Sequence, residues 1–407
     1  MSGFLGRMLA RIGWPRTRAA HVGIVAALGS MAMILMLGLL AAIPVLSPST
    51  GAEMADWLRA ILGPKPVAML EGESLAVQDA FNRLVSSWNG GQKAISLADL
   101  PSTQAQSGLQ KKPGEVALTT GGTKALPRHL SSLNVVNAQP DLGWKTFGPL
   151  VNGSPAMAET LVTVDPQRPY AGIALVRIDL GWLKLHMMPG TLEPSHSPAV
   201  MAALPQRGVV PASDQAHLVA AFNGGFKAIN GDYGMMVSGV TLLPPKPGLA
   251  TIAIYQDGHV AMGVWGQQIL PSADMIAYRQ NCPPLIVDGQ INPQVNEPSR
   301  AIWGNTVGNS AITWRTAIGL TQDGQYLIYA VGNGTGVPLL AQALREAGAY
   351  DAMQLDINRP FARFVTYQGA GGDPASYTAV TLLNEMEKEP RLYLAPHKRD
   401  FFYLTTP

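Results

Sequence analysis

The chain has 407 residues, of which 47% are hydrophobic and 14% charged, with 43 glycines and 32 prolines. That composition excludes a disordered chain and, through its many turn formers, argues against a helix bundle. The formal charge of +2 sits at the start, where Arg7, Arg11, Arg16 and Arg18 come before any acid; taking these four from 29 basic residues leaves 25 against 27 acidic ones. The rest of the chain therefore lacks the cation excess that phosphate neutralisation needs, which excludes a nucleic-acid partner.

Residues 1–21 read as a basic cytoplasmic tail. From Val22 to Val45 no charged side chain interrupts an apolar run about as long as a bilayer core. All four arginines precede it, while Glu53 and Asp56 follow. That asymmetry predicts a transmembrane signal anchor, with the N-terminus cytoplasmic and the rest periplasmic or extracellular. A cleaved signal is the alternative, and the run is long for one. Residues 46–125 read as a stalk and linker: Val77, Phe81, Leu84 and Trp88 recur at helical spacing, and residues 89–125 are rich in Gly, Ser, Thr, Gln and Lys without period.

The domain expected over 126–407 is dense in strands from Glu159 onward. ATIAIYQDGHVAMGVWG and TAIGLTQDGQYLIYAV read as hairpins turning at Asp257-Gly258 and Asp323-Gly324, because Asp-Gly suits the turns that match strand twist. Near the end, Pro338 suits the first turn of a helix whose apolar face is Leu339, Leu340, Ala343, Leu344 and Ala347, with Gly348 closing it. The fold class expected is α+β, a mixed strand-rich sheet with few helices. The single cysteine, Cys282, excludes an intrachain disulfide and reads as a small buried apolar side chain.

Several apolar runs end in polar or small residues, which is how a sheet presents a site. LVAAF ends at Asn223-Gly224-Gly225, followed by Phe226 and Lys227; PLIV ends at Asp288-Gly289; AMQL ends at Asp356, with Asn358 and Arg359 after it; Arg315 stands in TWRTAIGL. The two glycines read either as a tight turn or as bare backbone against which a ligand lies. No zinc-ligand spacing, P-loop, dinucleotide fingerprint or nucleophile elbow is present. Acidic side chains and carbonyls suit a hard divalent cation such as calcium, although no loop of alternating acids argues for one and the sequence requires no cofactor.

The order AAFNGGFK, YGMMVSG, PLIVDGQI, RTAIGLTQDG and LLAQALREAGAYDAMQLD, covering roughly Asp165 to Asn358, resembles the phosphodiester glycosidase family. The resemblance implies an α+β domain that hydrolyses the glycosidic bond of a sugar linked through phosphate. Carried over by position, Asn223, Gly224 and Gly225 match its Asn-Gly-Gly motif, Asp288 its Asp-Gly motif, Arg315 its Arg-Thr-Ala-Ile-Gly motif and Asp356 its strand-ending aspartate. The expected site has Asp288 and Asp356 as catalytic residues and Asn223, Gly224, Gly225, Arg315 and, beside them, Lys227 and Asn358 as substrate-binding ones. Two departures stand out: LDINRPF replaces the glycines and serine usual after the aspartate, and Val331-Gly332-Asn333-Gly334 replaces an aspartate-glycine-arginine pattern.

The chemistry is consistent with these residues. A phosphate monoester, with a second pKa near 6, leaves with little general-acid help. The enzyme's tasks are then to hold the phosphate, through Arg315, Lys227 and the Gly224 and Gly225 amides, and to stabilise charge at the anomeric carbon through Asp288 and Asp356. The expectation is a membrane-anchored extracytoplasmic hydrolase acting on a glycosyl phosphodiester or related envelope glycan. The alternatives are a non-catalytic glycan-binding or envelope-assembly protein on the same fold, and a protein whose function resides in the anchor and the Val77 to Trp88 segment.

Overall fold

The computed structural model describes residues 83–84, 142–165, 168, 171–194, 200, 202–204, 206–297, 300–304, 312–369 and 373–407. The basic tail, the anchor at 22–45 and the stalk and linker at 46–125 lie outside the described residues, apart from Arg83 and Leu84, which are helical. Among the described residues no helix is long and apolar enough to cross a membrane.

Three larger sheets carry the domain, beside a two-stranded ribbon of Leu150–Val151 and Ser154–Pro155. The largest has eight strands in the spatial order Lys145–Thr146, Met157–Val162, Ile173–Asp179, Tyr326–Thr335, Thr313–Leu320, Asp351–Ile357, Pro284–Val287 and Gln290–Ile291. The second runs Val260–Val264, Ala250–Tyr255, Met275–Gln280, Met235–Val237 and Val240–Leu243, and the third Thr378–Thr381, Phe364–Gln368, Leu218–Asn223, Phe401–Thr405 and Lys184–Met188. The strand-rich α+β class with few helices is what the structure has, divided over three sheets whose paired named strands run antiparallel. Both expected Asp-Gly hairpins are present, with Gly258 at φ 87° and Gly324 at φ 68°. The expected helix spans Val337–Glu346, with Pro338 in its first turn and Gly348 at φ 98° just beyond it.

Alternation along the strands of the largest sheet explains the two principal cores. Ala174, Val176, Leu327 and Tyr329 face a core shared with the other two sheets, while Ile173, Leu175, Ile328 and Ala330 face the helix through Leu340, Ala341 and Leu344. In the shared core Phe222 stacks on Phe364 and Phe402 at ring separations of 5.8 and 5.2 Å, and Tyr329 lies 4.9 Å from Phe364. Each such side chain contributes about 1.5–3 kcal/mol by leaving water. Tyr329 does more, because its hydroxyl donates to Asn223 Oδ1 at 3.1 Å and so ties the core to the strand end where the site begins. Cys282 is buried as expected, and burial pushes its thiol up to about 12.

Candidate active site

The strand Leu218–Asn223 of the third sheet and the strand Asp351–Ile357 of the largest end side by side: the Asp356 N–H donates to the Gly224 carbonyl at 3.0 Å. Thr316 stitches the junction, donating from Oγ1 to the Asp356 carbonyl at 2.6 Å and accepting from Asn223 Nδ2 at 2.9 Å. Asn223 uses its amide fully within the protein. Nδ2 also donates to the Gly224 carbonyl, and Oδ1 accepts from Tyr329 and from the Arg363 N–H. The side chain expected to bind substrate is thus a structural node.

The two glycines have a specific cause. A Cβ on Gly224 would stand 2.1 Å from Asp400 Oδ2, and one on Gly225 would stand 2.8 Å from the Arg279 guanidinium carbon. Asp400 Oδ2 accepts from the Gly225 N–H at 3.0 Å and from Arg279 Nε at 2.8 Å, while the Asp400 carbonyl takes the Gly224 N–H at 3.0 Å. What approaches the bare backbone is therefore the protein's own buried ion pair. The amides expected to cradle a phosphate are already engaged. Arg279 itself is 0% exposed and gives its other donors to the Phe226, Tyr233 and Gln280 carbonyls.

Asp356 differs from Asp400. One oxygen accepts its neighbour's N–H, from Ile357 at 2.9 Å, and the other pairs with Arg399. Burial raises its pKa to about 6 against the pull of Arg399, the Ile357 amide and Lys227, with Asp400 pushing upward. Arg399 also donates to the Gly225 carbonyl, and its guanidinium lies 4.7 Å above the Phe361 ring. The Lys227 ammonium lies 5.6 Å from the same ring. Two cations thus share one aromatic ring beside one carboxylate. The Nε of Arg399 is buried with no hydrogen-bond partner among the described residues. His397 accepts the Arg399 N–H on Nδ1, and burial pulls its pKa down to about 4, so it stands neutral at physiological pH.

Phe361 is where it is because of the sequence LDINRPF. Asn358 adopts φ 75°, a left-handed conformation that Asn tolerates better than most side chains, and its carbonyl takes the N–H groups of Phe361 and Ala362. The turn swings the ring back to the strand end, and Asn358 Oδ1 is held by the Thr313 hydroxyl at 3.2 Å. Asn358, expected to contact substrate, is the residue that builds this turn.

Asp288 is not at this site. It is exposed at φ 49° and, with Gly289 at φ 75°, forms the tight turn between Pro284–Val287 and Gln290–Ile291. Its N–H donates to Asp351 Oδ1 at 3.2 Å. Asp351 and Asp356 lie on one strand, five residues and hence roughly 16 Å apart at about 3.3 Å per residue. That distance exceeds the spacing of paired glycosidase carboxylates, about 5–9.5 Å. The structure therefore does not bring Asp288 and Asp356 together. Arg315 is 3% exposed; its Nη1 donates to Gln354 Oε1 at 2.8 Å and to the Trp303 carbonyl at 3.1 Å, and burial lowers its pKa to about 10. Among the described residues no group of three His, Cys, Asp or Glu side chains stands ready to hold a metal.

The site thus consists of Asp356, Arg399, Lys227 and Phe361, supported by Arg279 and Asp400. Of these, Arg399, Asp400, Arg279 and Phe361 escaped the sequence reading. The signal for two of them was HKRDFFYL, a charged cluster running straight into an apolar strand.

Residues 216–356 match the family model of phosphodiester glycosidases. The match includes Asn223, Gly224, Gly225, Lys227, Asp288, Arg315 and Asp356, while Asn358, Phe361, Arg399 and Asp400 follow it. Among solved structures, the chain is similar to the catalytic domain of zebrafish N-acetylglucosamine-1-phosphodiester alpha-N-acetylglucosaminidase auto-inhibited by its pro-peptide, at 15% identity over 65% of this chain and 88% of that one, with a TM-score of 0.40. A hypothetical protein from Synechocystis matches at 12% identity over 63% of each chain, with a TM-score of 0.32. No curated protein matches the chain.

Proposed function

We propose that the protein is a membrane-anchored, extracytoplasmic hydrolase that cleaves the glycosidic bond of a glycosyl phosphodiester. The observation that carries this reading is the cluster of Asp356, Arg399 and Lys227 around Phe361, of which Lys227 and Asp356 lie within the family-matched stretch. Water adds to the anomeric carbon, and the bond from that carbon to the phosphate oxygen breaks. Its electron pair leaves with the phosphate monoester. Asp356, ionised above about pH 6, stabilises the positive charge that grows at the anomeric carbon and takes the proton of the attacking water. Arg399 and Lys227, the two cations at the Phe361 ring, hold the phosphate oxygens, the role first expected of Arg315. Because phosphate leaves without a general acid, one carboxylate suffices, which fits the placement of Asp288 in a distant turn. The run at 22–45 supports the anchoring and the side of the membrane.

A second reading is favoured by the commitment of both Asp356 oxygens to protein donors: a glycan-binding protein that keeps the fold without turnover. Sugar release by the full chain from a panel of α- and β-glycosyl phosphodiesters separates the two. The hydrolase turns over at least one member, and Asp356→Asn lowers that rate by about 10²- to 10⁴-fold with the melting temperature retained. Unchanged turnover in the variant would remove Asp356 from the mechanism, and binding without turnover in the parent protein would establish the second reading.

A further inference from the structure

Six large hydrophobic side chains are exposed among the described residues, and the two most exposed are Ile229 at 87% and Leu192 at 59%. Scattered exposed hydrophobics are ordinary, but these two are not scattered. Ile229 lies in the one-turn helix Ala228–Asn230 that begins directly after Lys227. The Leu192 N–H bonds the carbonyl of Lys398, the residue before Arg399, at 3.2 Å. The two segments are tied together where the Ala228 N–H donates to Glu193 Oε2 at 3.0 Å. One exposed apolar residue therefore follows Lys227 by two positions in the chain, and the other is bonded through its backbone to the residue before Arg399.

We propose that Leu192 and Ile229 receive an apolar aglycone, so that the substrate class is a glycosyl phospholipid in which the phosphate joins the sugar to an alkyl or isoprenoid chain. The inference rests on the reading that Lys227 and Arg399 hold the phosphate. A phosphodiester bound there has two arms, and with its sugar against Asp356 the other arm leaves past the cations to this rim. Leu192 and Ile229 side chains offer no hydrogen bonds, so a second sugar crossing them would bury hydroxyls without partners. A hydrocarbon chain would instead remove apolar surface from water on both sides of the contact.

The test uses the full chain and phosphodiesters of the sugar that the panel identifies, with methyl, butyl and octyl groups as the second ester arm. The expected result is a rise in kcat/KM of about tenfold or more from methyl to octyl, as apolar area is buried. In the double variant Leu192→Ser and Ile229→Ser the octyl-to-methyl ratio falls toward one, and a ratio is insensitive to the fraction of folded protein. A flat series in the parent protein overturns the inference and leaves the hydrolase reading standing. A rise that persists in the double variant also overturns it, because the chain then lies elsewhere. Absence of turnover on every ester defeats the hydrolase reading itself, and the inference with it.

Discussion

Two arginine–aspartate pairs lie back to back in this domain, built from adjacent residues of one segment, and they have opposite characters. Asp400 pairs with Arg279 at 2.8 Å with side-chain exposures of 1% and 0%, whereas Arg399 pairs with Asp356 at exposures of 10% and 9%. Every donor direction of Arg279 ends on a protein acceptor, while the Arg399 Nε ends on none among the described residues. Chemical type does not distinguish a scaffold pair from a working one. Saturation does: the first pair is closed by carbonyls and glycine amides, and the second is left with donor capacity and an aromatic face turned toward it.

The contrast breaks first on stability. Gly224→Ala drives a methyl group into the Asp400 carboxylate, which cannot retreat without leaving Arg279. Separating a buried pair in this way costs about 3–5 kcal/mol, readable as a lowered denaturant midpoint. Asp356→Asn, one strand away, costs much less, because burial already disfavours its charge and Arg399 keeps the Phe361 ring and the Gly225 carbonyl. Equal losses in the two variants would erase the distinction between the pairs.

How much of this was written in the sequence follows from the range over which each feature is decided. The Asp257-Gly258 and Asp323-Gly324 turns and the helix from Pro338 to Gly348 were legible because residues within one or two turns determine them. The end of a strand at Asn223-Gly224-Gly225 was legible too, but its purpose was not. The group that needs the bare backbone is Asp400, 175 residues away in the chain, and no local pattern announces it. The family-matched stretch stops at Asp356, so its arginine, 43 residues further on, also escaped. Asp288 was misplaced for the converse reason: an Asp-Gly after an apolar run looks the same whether it ends at a site or at a hairpin.

A sharper test of the working pair is its pH dependence. Burial holds Asp356 up to about 6 while Arg399 pulls it down, so turnover should fall as pH drops through about 6, where the carboxylate gains its proton. Arg399→Gln removes the pull, so the acid limb moves upward, and KM rises about 10- to 100-fold with the loss of a charged contact to phosphate. Stability has the opposite sign. A carboxyl whose folded pKa is raised contributes most below its ordinary range near 4, and that contribution is lost as pH rises through about 6. The site therefore becomes active over the interval in which it becomes less stable. In Asp356→Asn this part of the melting temperature's pH dependence disappears; if it persists in full, another buried group carries it. Asp351, raised to about 6 by burial, and Glu159, raised to about 7, are the candidates.

The smallest expected effect is at the other aspartate. Asp288 sits at φ 49° in an exposed turn, and asparagine accepts that conformation as readily. Asp288→Asn should therefore change stability by no more than about 0.5 kcal/mol and leave turnover on the same phosphodiester where it was. The neighbouring Gly289→Ala, at φ 75°, should cost more, roughly 1–2 kcal/mol, because a Cβ is disfavoured there. Thus the glycine, and not the acid, is the residue that the turn needs. A fall in kcat beyond tenfold in Asp288→Asn, with the fold intact, would mean that the turn reaches the reacting sugar across roughly 16 Å of strand. The separation between scaffold and site drawn from the two ion pairs would then have to be redrawn around a second carboxylate.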